Sequence, residues 1–212
     1  MIETLIKSKR RVEIIAEIAN SHNGNPADAL NLAEECFLVG VDAVKFQIYF
    51  AEELLTTYHS RYEHFKNQSF SEDTWNDLFY KLKKKNRKIY ADTFGIKALN
   101  LAQRNKLDGI KIHSSDLNNK PLLEKLKDKK KKYFLSCGGS TIEEIAYAVK
   151  ITNKNGIKPI LLHGFQAYPT HIEDTHLNRI STLKNIFKGS CDYGYQDHIS
   201  GDDPMNLTVS QI

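Results

Sequence analysis

No stretch of this 212-residue chain approaches the roughly 20 consecutive apolar residues that a membrane span requires. The first seven residues also lack the apolar core of a signal peptide. The three cysteines, Cys36, Cys137 and Cys191, are odd in number and follow neither metal-binding nor redox spacing. A cytoplasmic protein with no membrane partner is the default expectation. Charge of one sign is scarce too, the formal net charge being +4. Much of the basic excess sits in two lysine runs, 81–88 and 125–132, each late in an expected helix and just before a strand. Cations favour that end of a helix. The runs therefore read as solvated faces at the amino-terminal end of a sheet and not as a nucleic-acid surface. There is no Gly-rich phosphate loop of the nucleotide-binding kinds, no internal repeat and no low-complexity linker.

What is present is a recurring layout. Seven short apolar strands are expected at 12–19, 43–48, 88–94, 109–114, 133–138, 158–164 and 191–198, and each runs out into polar, chemically capable residues. Strands alternating with helical stretches imply βαβ units and a parallel sheet. The fold class is α/β, a (β/α)8 TIM barrel, in which the active site is assembled from the carboxyl ends of many strands. Such a barrel needs eight strands and typically about 250 residues, so the chain reads as a barrel incomplete at its carboxyl end. Asp203 and Pro204 look like a cap and first turn shortly before Ile212. Local punctuation is clear elsewhere. Asn25, Pro26 and Gly40 bracket the first helix, whose Leu30, Ala33 and Phe37 share a face. Ser140 to Glu143 reads as a capping box, a helix starts near Ser71, and the aromatic and charged stretch after Tyr49 reads as a loop.

Strand alternation supplies the strongest functional argument. In Ala43-Val44-Lys45-Phe46-Gln47 the bulky Val44 and Phe46 share one side, which should face the helices and send Lys45 and Gln47 inward. The same logic turns Lys111 into the barrel. Lysines are almost never fully buried unpaired, so two at one barrel mouth call for an anion. Either Glu17 or Asp116 neutralises them in a structural network, or they bind a phosphate or carboxylate ligand with Ser114 and Ser136 adding hydroxyl donors. His198 ends a strand on the same face as Gln196. Such a histidine can ligate a metal, but taken singly it is more often a hydrogen-bonded or exposed one. His22, His113 and His163 stand at other strand exits, so a histidine cluster is conceivable. Tyr168-Pro169 reads as a loop anchor.

The segments Ile15 to Gly24, Ala43 to Gln47, Lys111 to Asp116, Leu135 to Gly139, Leu161 to His163 with Tyr168-Pro169, and Gly194 to His198 occur in the order of the sialic acid synthase (NeuB-like) family. The chain resembles that family over nearly its whole length. The resemblance implies a transferase that condenses phosphoenolpyruvate with an N-acylated amino sugar, of the N-acetylmannosamine kind, into a nine-carbon sugar acid. Lys45, Lys111, Ser114 and Ser136 fall where the family holds phosphoenolpyruvate, and Gln166 falls at an asparagine that contacts it. Glu17, Gln47 and Tyr168 fall where it contacts the sugar, and Asp116 takes the place of an acidic active-site residue. His198 matches one of two histidines that bind a manganese or magnesium ion. The family usually has a threonine where Asp92 stands, and a carboxylate there repels a dianion unless it is protonated or paired; Gln196 stands in place of a serine. The resemblance further implies one domain over 1–212, with the eighth strand, the second metal histidine and an antifreeze-like domain beyond Ile212. A homodimer is implied for the longer form and little activity for this chain. Two other readings remain: a metal-dependent aldolase or isomerase acting on a phosphorylated substrate, and a catalytically dead barrel that binds an anion.

Overall fold

The computed structural model describes residues 12–206. Seven strands, β1 (Ile15–Ala19), β2 (Ala43–Ile48), β3 (Ile89–Thr93), β4 (Gly109–Ile112), β5 (Lys132–Ser136), β6 (Ile160–His163) and β7 (Asp192–Tyr195), form one sheet in sequential order. Every neighbouring pair is parallel. Helices cross over between them, which is the wall of an incomplete TIM barrel. The strands are shorter than alternation suggested because their carboxyl ends leave the ladder early. Ser114, for example, already opens a 3-10 turn, Ser114–Asp116. At the other end, residues 12–14 precede β1 and leave Val12 and Ile14 exposed.

Side-chain alternation sorts the sheet into two faces. Val44, Phe46, Ile48, Ile110, Ile112 and Leu135 join Ala33, Trp75, Leu78, Leu99 and Ile145 from the helices in the main core. Ala43, Tyr90, Phe134 and Leu162 form a separate cluster, with Ile15 and Ile160 against it. That second cluster is the floor of the barrel interior. Gly109 belongs to it by absence, since a Cβ there would lie 2.7 Å from the Tyr90 ring and 3.1 Å from that of Phe134. Below the floor, Glu13 accepts hydrogen bonds from Lys88 Nζ at 2.9 Å, Tyr90 Oη at 2.6 Å and Lys132 Nζ. Burial alone would raise its carboxyl, but Lys132, Tyr90 and Lys88 together bring it down to about 2. The lysine runs are thus not only solvated. Lys88 and Lys132 plug the barrel, and Lys83 and Lys131 bond the Lys106 and Leu107 carbonyls at 2.7 Å.

Local signals set most boundaries. Asn25 caps the helix Pro26–Leu38 by accepting from Ala27 N, and Gly40 turns the chain at φ +93. Ser71 caps Glu72–Lys84. The capping box before Ile142–Lys154 lies one residue later than expected, between Thr141 and Glu144. Ser140 is taken by the preceding turn, its N–H donating to Cys137 O and its carbonyl accepting from Arg179. The stretch after Tyr49 is not simply a loop but carries the short helices Ala51–Leu54 and Tyr62–Gln68. Asp203 Oδ1 accepts from Met205 N at 2.9 Å, in keeping with a cap. Leu207 and Val209, expected on the helix that follows, lie outside the described residues.

Candidate active site

One step above the Tyr90–Phe134 floor, the inner face turns from apolar to charged. Glu17 and Lys45 are partners in the β1–β2 register, and Asp92 and Lys111 in the β3–β4 register. Both lysines point inward, as alternation requires, and only 8% of Lys45 and 5% of Lys111 is exposed. Lys45 Nζ contacts Glu17 Oε2 and stands 3.9 Å from Asp92 Oδ2, and the same oxygen accepts directly from Lys111 Nζ. The result is an alternating chain, Glu17–Lys45–Asp92–Lys111, across four adjacent strands. Of the two acids expected as neutralising partners, Glu17 fills the role. Asp116 does not, because its carboxylate is held in the 3-10 turn by Asn119 Nδ2 at 3.0 Å.

The local backbone supports this arrangement. The β1–β2 register slips between Glu17 and Ala19, and Ala19 sits in the left-handed region at φ +47. Such bulges bend a strand and re-aim its side chains at barrel rims. Here the bulge lets Glu17 Oε1 accept from Ala19 N at 3.2 Å while Oε2 meets Lys45. Burial pulls the Lys45 ammonium down to about 7; Asp92 pushes it back up and Lys111 adds to the fall. The direct contact with Glu17 also favours the protonated form. Asp92 lies below the usual carboxylate range: burial pushes it up, but Lys111 and Lys45 outweigh that. His113, next along the inner face of β4, is lowered first by burial, with Asp92 acting against this and Lys111 with it.

The remaining expected residues gather less tightly. Ser136 is fully buried and bonded reciprocally to Gln196, at 2.9 Å from Nε2 and 3.2 Å to Oε1. Gln196 fits because Gly164 has no Cβ, which would otherwise collide with it. Gln166 lies likewise against Gly138, where a Cβ would be 2.5 Å from its Nε2. Gln47 is half-buried opposite Asp92, and Ser114 half-buried at the start of its turn. Tyr168 is 89% exposed at the rim, its ring 6.0 Å from that of His198. His198 Nδ1–H donates to the Phe165 carbonyl at 2.8 Å, which leaves Nε2 as the free lone pair.

The strand-exit histidines do not cluster. His22 is packed against Phe70 and Trp75 with Nδ1 accepting from Gly24 N, and burial lowers its pKa. His163 lies on the helix side of β6, its Nε2–H donating to Thr175 O at 2.8 Å. Among the described residues no group of three histidine, cysteine or acidic side chains could hold a metal ion. His198 supplies one imidazole with a backbone partner on its far nitrogen, as metal-bound histidines have, but the described residues do not complete a metal centre. Two residues of the inner face fell outside the expected site, Asp92 and His113. Parity offered a signal for both: His113 shares the strand face of Lys111, already turned inward, and Asp92 shares that of Tyr90, which the structure places in the interior cluster.

A parallel α/β wall with paired charges and hydroxyls at its carboxyl ends has the layout of a TIM-barrel enzyme site. The chain belongs to the NeuB family, which it matches over residues 32–209. It is 39% identical over 193 residues to an uncharacterized protein of Methanocaldococcus jannaschii, covering 89% of this chain and 56% of that one. It is 29% identical over 209 residues to the N,N'-diacetyllegionaminic acid synthase of Campylobacter jejuni, covering 91% of this chain and 62% of that one. Among solved structures, the N-acetylneuraminic acid synthetase of Leptospira borgpetersenii, in complex with citrate, superposes with a TM-score of 0.86 at 32% identity. That match covers 95% of this chain and 70% of the other. The chain spans little more than half the length of the curated relatives it matches. No helix among the described residues is long and apolar enough to cross a membrane.

Proposed function

We propose that this chain is the catalytic-barrel portion of a transferase that condenses phosphoenolpyruvate with an N-acylated amino sugar, releasing phosphate. The observation that carries the reading is the Glu17–Lys45–Asp92–Lys111 chain on the inner face of a NeuB-family barrel. The two ammonium groups suit an anionic substrate, with a hydroxyl donor from Ser114 and a second from Ser136 once it exchanges its Gln196 partner for the ligand. Glu17, Gln47 and Tyr168 line the approach for the sugar, with Asp116 as the acidic group at the rim. The enol carbon of phosphoenolpyruvate attacks the sugar aldehyde, the carbonyl oxygen takes a proton, water adds to the resulting oxocarbenium carbon, and phosphate leaves. Lysines held in a buried site stabilise the charges that develop in that sequence. A divalent ion, manganese or magnesium, would supply electrophilic assistance at the aldehyde. His198 Nε2 is the ligand this chain offers it, and with one ligand described no step is assigned to the metal.

The test is phosphate release with phosphoenolpyruvate and N-acetylmannosamine supplied together and separately. Release that needs both supports a synthase. Release from phosphoenolpyruvate alone favours another enzyme acting on a phosphorylated substrate, and binding without release by the longer form favours the anion-binding barrel. One observation favours that last reading: both lysines already have carboxylate partners.

A further inference from the structure

Asp92 is the anomaly of the anion site. Only 1% of it is exposed, and a single oxygen, Oδ2, faces both lysines. Its other oxygen, Oδ1, is buried without a hydrogen-bond partner among the described residues. Two carboxylates, Glu17 and Asp92, face two lysines, Lys45 and Lys111, and the formal charges cancel when Lys45 is protonated. His113 looks on from β4, lowered by burial and so neutral near pH 7. A phosphate dianion placed on these lysines would meet two carboxylates in a site of low dielectric, and like charges brought that close cannot all remain ionised. Glu17 is the more exposed of the two, with 37% of its side chain open against 1% for Asp92. Glu17 can turn to water; Asp92 cannot.

We propose, on the basis of the anion-binding role assigned above, that Asp92 makes ligand capture proton-coupled: it takes up one proton when an anion occupies Lys45 and Lys111. The proton comes from solvent and goes to Oδ1, the oxygen with no partner, so the neutral carboxyl becomes a donor where it was a repelling charge. The lysine contacts that hold Asp92 ionised in the empty site pass to the ligand, and the ligand's own charge then favours the protonated carboxyl. The physical consequence is a sign. Affinity for a phosphorylated ligand falls as pH rises from the protonation range of Asp92 in the free site to that in the ligated site, by up to about tenfold per pH unit, and levels off above it.

Titration calorimetry with phosphoenolpyruvate, in buffers of differing ionisation enthalpy at pH 7.5, counts the protons. A phosphate ester is almost wholly dianionic there, so uptake belongs to the protein. The expected result is about one proton more per phosphoenolpyruvate for the chain than for Asp92→Asn or Asp92→Thr, any uptake by Lys45 being common to all three, and at least tenfold tighter binding by both variants. Uptake in either variant equal to that of the unaltered chain would assign the proton to Lys45 or His113 and overturn the proposal. So would a count of zero in the unaltered chain. Should both variants fail to fold, infrared difference spectra of the unaltered chain decide: a protonated-carboxyl band must appear with phosphoenolpyruvate, and its absence rejects Asp92. Binding without a linked proton defeats this inference alone; no binding of phosphoenolpyruvate by any of the three proteins defeats the anion-site reading with it.

Discussion

Lys111 is the residue on which the inner face turns, because it joins the anion site to Asp92. Changing Lys111 to alanine removes a charge-assisted contact worth on the order of 1.5–3 kcal/mol, or about 10- to 150-fold in affinity. It also leaves Asp92 without its nearest cation, which places the loss towards the upper end of that range. Phosphoenolpyruvate binding should suffer far more than binding of the sugar, and titration with each ligand separately checks this. An effect confined to the sugar would remove Lys111 from the phosphate site. At the opposite end of the barrel, Glu13 gives the fold its own acid dependence. Its carboxyl stands at about 2 against an ordinary 4.5, because the bonds from Lys132, Tyr90 and Lys88 exceed the effect of burial. A lowered carboxyl stabilises the fold fully above pH 4.5, and that contribution disappears as pH falls towards 2. With allowance for solvent screening it is roughly 1–2 kcal/mol. Glu13→Gln should lose this stability at pH 7 and flatten the change between pH 4.5 and 2, measured by urea unfolding at each pH.

Among the elements, the helix Ile142–Lys154 shows how side chains set a boundary. Thr141 Oγ1 accepts from Glu144 N at 3.3 Å while Glu144 Oε2 accepts from Thr141 N at 2.8 Å, so two helix-end donors are satisfied reciprocally. Thr141→Ala should cost about 1 kcal/mol. In a chain of this size that lowers the melting temperature by roughly 2–4 °C. Ser140→Ala should leave the melt nearly unchanged, because Ser140 acts through its backbone. Equal losses at the two positions would place the cap at Ser140 after all. The sequence spacing allowed either residue, and the reciprocal bonding of Thr141 with Glu144 identifies the cap, while Ser140 is turned to the preceding turn and Arg179.

Across the whole molecule, stability follows position in the sheet. β3 and β4 are buried throughout and have strand neighbours on both sides, whereas β1 and β7 each have one neighbour among the described residues, and β7 has no buried residue. Open edges are where local opening and unwanted pairing concentrate. Amide hydrogen exchange should therefore be slowest in Ile89–Thr93 and Gly109–Ile112 and fastest in Asp192–Tyr195 and the outer amides of β1. Protection of β7 equal to that of β3 would mean its free edge is covered, by a second copy or another segment.

The direction of Lys45 and Lys111 and the helix starts at Asn25 and Ser71 are local or periodic properties, and the sequence by itself determined them. A side chain's face follows from parity alone, and a cap needs only its own turn. Membership of the site was legible for the same reason where residues lay at strand exits with inward parity, as Glu17, Lys45, Lys111 and Ser136 do. Partnership was not. Nothing along the chain says that Asp92 pairs with Lys111 while Asp116, five residues past Lys111, turns to Asn119. Nor does it say that His163 faces the helices, or that Glu13 draws lysines from two distant runs into one plug. Those outcomes depend on register between strands and on which charges the inner face can neutralise together, and only the tertiary structure decided them.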